Sequence, residues 1–191
     1  AGAAPVFLGA SGLGRGLTFE RLEDVGLTLE GLRIEGFERA LVAGPSSDLL
    51  GSGLTLIGGV GISPGDGKAA LEDGSITLYD SVFDDGAAAV PGGTGELRFE
   101  RVRIEDALVL EDLLVGGVHS TVLIDVAISD CGAVDDLVEA TGAWIELRRV
   151  SIEDSLGHAL TVDADRGASV EIAGLTVART ASGVSDLVRV T

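Results

Sequence analysis

With 191 residues the chain has material for one domain with a sizeable core and too little for two ordinary ones. Its 31 acidic side chains against 13 basic ones give a net charge of −18, which excludes partners that present phosphates, nucleic acid and anionic membrane surfaces alike. Apolar residues at 46% exclude a disordered acidic tail, and 29 Gly leave little room for long helices.

From the amino terminus onward, one ten-residue phrase recurs. It is weak at Val6, clear at Leu27 (LTLEGLRIEG), weak at Leu54, clear at Ile76 (ITLYDSVFDD) and Leu97 (LRFERVRIED), weak at Thr121, and clear at Ile145 (IELRRVSIED) and Val170 (VEIAGLTVAR). The starts lie near 23 residues apart and the copies cover almost the whole chain, so the repeat decides the architecture. Counting the first residue of each copy as position 0, positions 0, 2, 5 and 7 are apolar in 27 of 32 cases, against 10 of 32 at positions 1, 3, 4 and 6. Alternation with period two marks a strand, and the step from 2 to 5 breaks it, which predicts two short strands joined by a bend. A third apolar stretch follows in several copies, at Leu41-Val42, Ala107 to Leu110, Ala159 to Val162 and Leu187 to Val190.

Two strands, a bend, a turn and a third stretch make one coil of a parallel β-solenoid. Stacking coils about 4.8 Å apart turns each inward position into a continuous apolar column, which no single coil could bury alone. The expectation is therefore an all-β, single-domain solenoid spanning 1–191, of about eight coils and roughly 35 to 40 Å long. Helical spacing over 104–115 leaves a short helix open there.

The phrase resembles that of the right-handed parallel β-helix family, which includes pectate lyases, autotransporter passengers and polymorphic outer-membrane proteins. The resemblance rests on the L-T-L-E-x-x-x-I/F-x-D type of run followed by small residues, as in Ser151-Ile152-Glu153-Asp154-Ser155-Leu156-Gly157-His158-Ala159-Leu160. It implies an architecture and no particular activity. A leucine-rich-repeat solenoid is the alternative, since Phe99-x-x-Val102-x-Ile104 and Leu147-x-x-Val150-x-Ile152 fit L-x-x-L-x-L. That repeat, however, expects an inward Asn where Ala107 and Ser155 stand, and has no place for the apolar residue at position 0.

Two outward columns hold the chemistry. Position 9 reads Gly36, Ser63, Asp85, Asp106, Asp130, Asp154 and Arg179. Stacked carboxylates repel by roughly 1 kcal/mol per neighbouring pair in water, which either turn amides or a row of oxygen ligands around Ca²⁺ would relieve. Asp85, Asp106, Asp130 and Asp154 are thus the candidate metal residues, with calcium as the alternative to no cofactor. Position 4 reads Asp80, Arg101, Asp125 and Arg149, alternating in sign, which fits a surface ion-pair ladder. In the enzymatic alternative, Asp80 and Asp125 stand two coils apart, roughly 9.6 Å, near the wide limit for inverting glycosidases.

The remaining signals are weak. Cys131 excludes an intrachain disulfide and falls where Gly86, Ala107 and Ser155 also fall, a site for small side chains. Trp144, just before a strand, reads as core cover ahead of sugar stacking. His119 and His158 read as a turn and a column residue, and Gly12, Gly14 and Gly16 lack the context of a phosphate loop. No run is long enough to span a bilayer. The start at Ala1 without Met reads as a removed leader or a piece of a longer chain. Uncapped ends fit a stretch of a longer protein or, were the chain complete, predict end-to-end self-association.

Short turns and uniform coils favour a non-enzymatic, extracellular structural or adhesion-type module of a bacterial surface or secreted protein. Its outer face would meet a protein or a polysaccharide. The alternative is a carbohydrate-active β-helix, a lyase or glycoside hydrolase, that binds or cleaves a polysaccharide on the face of Asp80, Arg101, Asp125 and Arg149.

Overall fold

The computed structural model describes residues 5–9, 14–19, 26–43, 47–64, 71–86, 89–90, 94–109, 111–181 and 188–190. All regular structure among the described residues is parallel β, coiled into a solenoid of about six turns. The long wall is an eight-stranded sheet containing Gly26–Glu30, Asp48–Ser52, Leu71–Tyr79, Thr94–Glu100, Gly117–Ile124, Glu139–Arg148, Leu160–Ala173 and Val188–Val190. A narrow wall of eight three-residue strands runs from Val6–Leu8 to Thr176–Ala178. The third side is split between two three-stranded sheets, Arg15–Phe19, Arg39–Ala43 and Val60–Pro64, then Leu108–Val109, Gly132–Asp136 and Leu156–His158.

The apolar columns are what hold the stack. On the narrow wall Ile34, Leu56, Phe83, Ile104, Ile128, Ile152 and Val177 are successive register partners. On the long wall Leu78, Phe99, Leu123 and Leu147 do the same. All of these except Val177 are buried, and each such side chain contributes about 1.5–3 kcal/mol of burial. The rings of Phe83 and Phe99 stack at 5.9 Å where the two walls meet. Polar residues that enter the columns are satisfied locally. Ser81 Oγ accepts the Leu54 amide at 3.2 Å and donates to the Tyr79 carbonyl at 2.8 Å. Thr121 Oγ1 accepts the Gly117 amide at 3.0 Å and donates to the Thr141 carbonyl at 2.7 Å.

Register corrects three expectations. Val6 pairs with Arg33 and Phe7 with Ile34, so the first copy of the phrase enters at its second strand. In the next affected copy Leu49 stands between Leu27 and Ile76 in the column, and Leu56 lies on the narrow wall, so that copy starts at Leu49 and not at Leu54. With these registers, and with the third side described in six places, about six turns replace the eight expected. Residues 104–115 form no helix among those described: Ile104 pairs with Ile128, Asp106 turns the chain, and Val109 pairs with Ala133. Ala107 to Val109 therefore lie on the split third side. The residue of that turn aligned with the column containing Val90 is Leu114. Leu110, Leu187 and Gly12 lie outside the described residues.

Candidate functional site

Each turn has two corners, and one residue makes each of them. At the first corner Gly31, Gly53, Asp80, Arg101, Asp125, Arg149 and Gly174 all have positive φ, and at the second so do Gly36, Gly58, Asp85, Asp106, Asp130, Asp154 and Arg179. The left-handed conformation bends the chain from one wall to the next in a single residue, which is why the period-two pattern breaks there. Gly58 therefore replaces Ser63 in the second-corner column, and Ser63 is buried on the third side. Backbone bonds carry both columns from turn to turn: Asp80 N–H donates to Glu100 O at 3.0 Å and Asp125 N–H to Arg148 O at 2.9 Å. At the second corner Asp106 N–H donates to Ser129 O at 3.3 Å and Asp154 N–H to Ala178 O at 3.1 Å.

The charged corners resolve into discrete pairs. Arg101 reaches back one turn and grips Asp80 through Nε at 2.6 Å and its terminal nitrogen at 3.0 Å. Arg149 grips Asp125 in the same bidentate way, its terminal nitrogen at 2.7 Å. Arg179 does so with Asp154 at 2.6 and 2.8 Å and also holds Glu153 at 2.8 Å. The guanidinium hydrogen bonds hold the carboxyls of Asp80, Asp125 and Asp154 below the usual carboxylate range. Asp80 and Asp125 are thus each engaged by an arginine and lie on an outer corner of the rod. The column Asp85, Asp106, Asp130 and Asp154 places one carboxylate per turn, and no group of three or more His, Cys, Asp or Glu among the described residues is placed to hold a metal ion.

A second constellation is not visible in the repeat phrase. Asp136 Oδ1 accepts the Thr161 hydroxyl at 2.7 Å and lies 3.3 Å from His158 Nδ1, while Asp112 Oδ1 accepts the Asp136 amide at 3.0 Å. Burial, reinforced by neighbouring carboxylates, pushes Asp112 and Glu139 up. Asp136 and His158 stand on the third side, with Glu139 and Thr161 just beyond it at the start of long-wall strands, and no spacing in the sequence marks the group because the return segments differ in length. Cys131 is buried, its thiol pushed up to about 11 by desolvation and donating to the Ser129 carbonyl at 3.1 Å, so it is an unreactive filler of the small-residue column.

The third constellation lies on the outer side of the long wall. Register aligns Asp48, Ser75, Glu96, Ser120, Trp144 and Ser169 in one row parallel to the axis. The strands kink beside this row, with register shifts between Thr94 and Glu96 and between Gly142 and Trp144. The result is a shallow cleft of about 360 Å³ lined by Asp48, Gly74, Ser75, Gly95, Glu96 and His119. Ser75 Oγ donates to Asp48 Oδ1 at 2.7 Å. Trp144 is 48% exposed, which overturns its reading as core cover: Ile145 and Leu147 face inward, so the alternation puts Trp144 outside with Glu146.

No helix among the described residues is long and apolar enough to cross a membrane. No protein-family model, curated protein or solved structure matches this chain.

Proposed function

We propose that this chain is a non-enzymatic, extracellular structural or adhesion-type module of a bacterial surface or secreted protein, similar in role to the β-helices of autotransporter passengers. The observation that carries this reading is the fate of the charged corners. The side chains that a glycosidase or lyase would need free at Asp80, Arg101, Asp125 and Arg149 are tied in neighbouring bidentate pairs on a convex edge. Nothing among the described residues encloses them, whereas catalytic carboxylates work in a cleft that excludes water and shifts one pKa upward. Both Asp carboxyls are shifted downward. Calcium at Asp85, Asp106, Asp130 and Asp154 stays secondary, since each turn brings one aspartate of the column where the ion takes six to eight oxygens, and Asp154 is already held by Arg179.

A panel of acidic and neutral polysaccharides, assayed for new reducing ends and for absorbance at 235 nm, tests the proposal. No turnover is expected. Turnover abolished by Asp125→Asn would replace it with the carbohydrate-active alternative. Calorimetric titration with Ca²⁺ is expected to give no heat, and melting is expected to be the same with and without chelator.

A further inference from the structure

We infer that the row on the long wall is a binding groove for a linear, uncharged polysaccharide. The inference rests on the adhesion-type reading and gives it a ligand class. Three features converge. The row runs parallel to the solenoid axis and climbs one rung, about 4.8 Å, per turn, so its functional groups repeat along a line as the units of an extended polymer do. Its side chains are carboxylates, hydroxyls and one indole, and that is the chemistry a pyranose ring requires. Carboxylates accept charge-assisted hydrogen bonds from sugar hydroxyls. The indole face, negative in its quadrupole, receives the C–H face of the ring. Finally, Gly74 and Gly95 line the cleft beside Asp48 and Glu96, and Gly74 packs too close to the Ser47 backbone for a side chain, so backbone forms part of the lining.

Charge selects among glycans. Asp48 and Glu96 flank the cleft, and the whole chain carries −18, so a polyuronate would meet repulsion along the row. An uncharged chain meets none and keeps every hydroxyl donor. Asp48 and Glu96 lie two rungs apart, with Ser75 between them already donating to Asp48. Each carboxylate would thus serve a different part of the chain. Trp144, two rungs beyond Glu96, supplies the stacking platform.

Trp144 is the sole tryptophan, so intrinsic emission reports on this one position. Titration of the intact chain with cellohexaose, a soluble mixed-linkage β-glucan and polygalacturonate is the test. Saturable quenching and a blue shift are expected with the β-glucan probes, and none with polygalacturonate at physiological salt. Trp144→Ala, followed by calorimetry, is expected to weaken β-glucan binding at least tenfold. Glu96→Gln is expected to weaken it several-fold, and Leu108→Ser on the third side to leave it unchanged. Melting of each variant near the parent value separates lost binding from lost fold. An emission spectrum unmoved by either β-glucan probe overturns the groove and leaves the non-enzymatic reading untouched. Equal binding of polygalacturonate, or full affinity in Trp144→Ala, overturns it as well. Release of reducing ends from the β-glucan would overturn the non-enzymatic reading and keep the groove.

Discussion

The amino-terminal turns and the middle turns of the solenoid build the same corners from different residues. Turns near the amino end use glycine, at Gly31, Gly36, Gly53 and Gly58, while the turns from Asp80 to Asp154 use Asp and Arg at φ values of 49–55°. Glycine enters this conformation without a steric penalty but loses more backbone entropy on folding. Asp tolerates it because a short polar side chain can, and Arg does so only against roughly 1–2 kcal/mol of strain. What the Arg101, Arg149 and Arg179 corners add is a guanidinium that locks a turn to the Asp corner of the one before it. The corner geometry is fixed by the fold, and the residue type is free within what the left-handed conformation tolerates.

One glycine beside a corner is irreplaceable. Gly59 follows the corner glycine, has φ +62°, and a Cβ there would meet Phe37 O at 2.1 Å and Glu38 O at 2.4 Å. Both are backbone atoms and cannot swing away. Gly59→Ala is expected to cost about 3 to 5 kcal/mol, lowering Tm by roughly 10 °C or more in a thermal melt. At Gly58 the nearest atom to a new Cβ is 3.9 Å away, so Gly58→Asp should cost no more than about 1 kcal/mol. Equal losses in the two variants would mean that the corner is not generic.

In the opposite direction, Asp106 can be exchanged for residues that do and do not accept the corner. Asp106→Gly keeps the conformation and removes a charge between Asp85 and Asp130, so stability should move by less than about 1 kcal/mol, upward at low salt. Asp106→Val places a β-branched residue at φ 54° and is expected to cost about 2 kcal/mol, read from denaturant midpoints at unchanged slope. If Asp106→Gly proved the worse of the two, the aspartate would be holding the turn through its carboxylate.

The period and the inward columns were legible because burial on one face enforces alternation turn after turn. Register failed where a column is interrupted. In the turn beginning at Leu49, Gly51 occupies an inward position, and a Cβ there would meet Leu78 and Leu54 at 2.5 and 2.7 Å. Those two leucines fill its space, and Leu54-x-Leu56 then imitates the start of the phrase. The sign alternation of Asp80, Arg101, Asp125 and Arg149 was visible, but not that each Arg reaches backward only. That direction follows from side-chain rotamers, to which residue spacing is blind. The groove was hidden for another reason: it is made by kinks at Gly95 and Gly142, and a kink leaves no hydrophobic signature. Trp144 could have been placed by extending the alternation back one residue from Ile145.

The smallest expected effect is also the sharpest test of what the charged corners contribute. Asp80, Asp125 and Asp154 have carboxyl pKa values depressed in the folded state by their arginine partners. A depressed pKa means the folded protein gains stability from the ionised form. That gain is complete above the unfolded-state value near 4 and disappears as pH falls through the folded-state values. The side chains are half-exposed, so solvent screens most of the attraction, and the Tm difference between the parent and the Asp80→Asn, Asp125→Asn double variant at pH 7 should be no more than about 3 °C. Melting both proteins from pH 7 down to 2.5 cancels the titration of every other carboxylate. The parent's advantage should shrink to nothing in acid and should shrink at neutral pH in 1 M salt. The glycine corners carry no such pairs and cannot contribute to that difference. An advantage that stays constant through acid would mean that Asp holds these corners by conformation alone, making the arginines passengers on the glycine design.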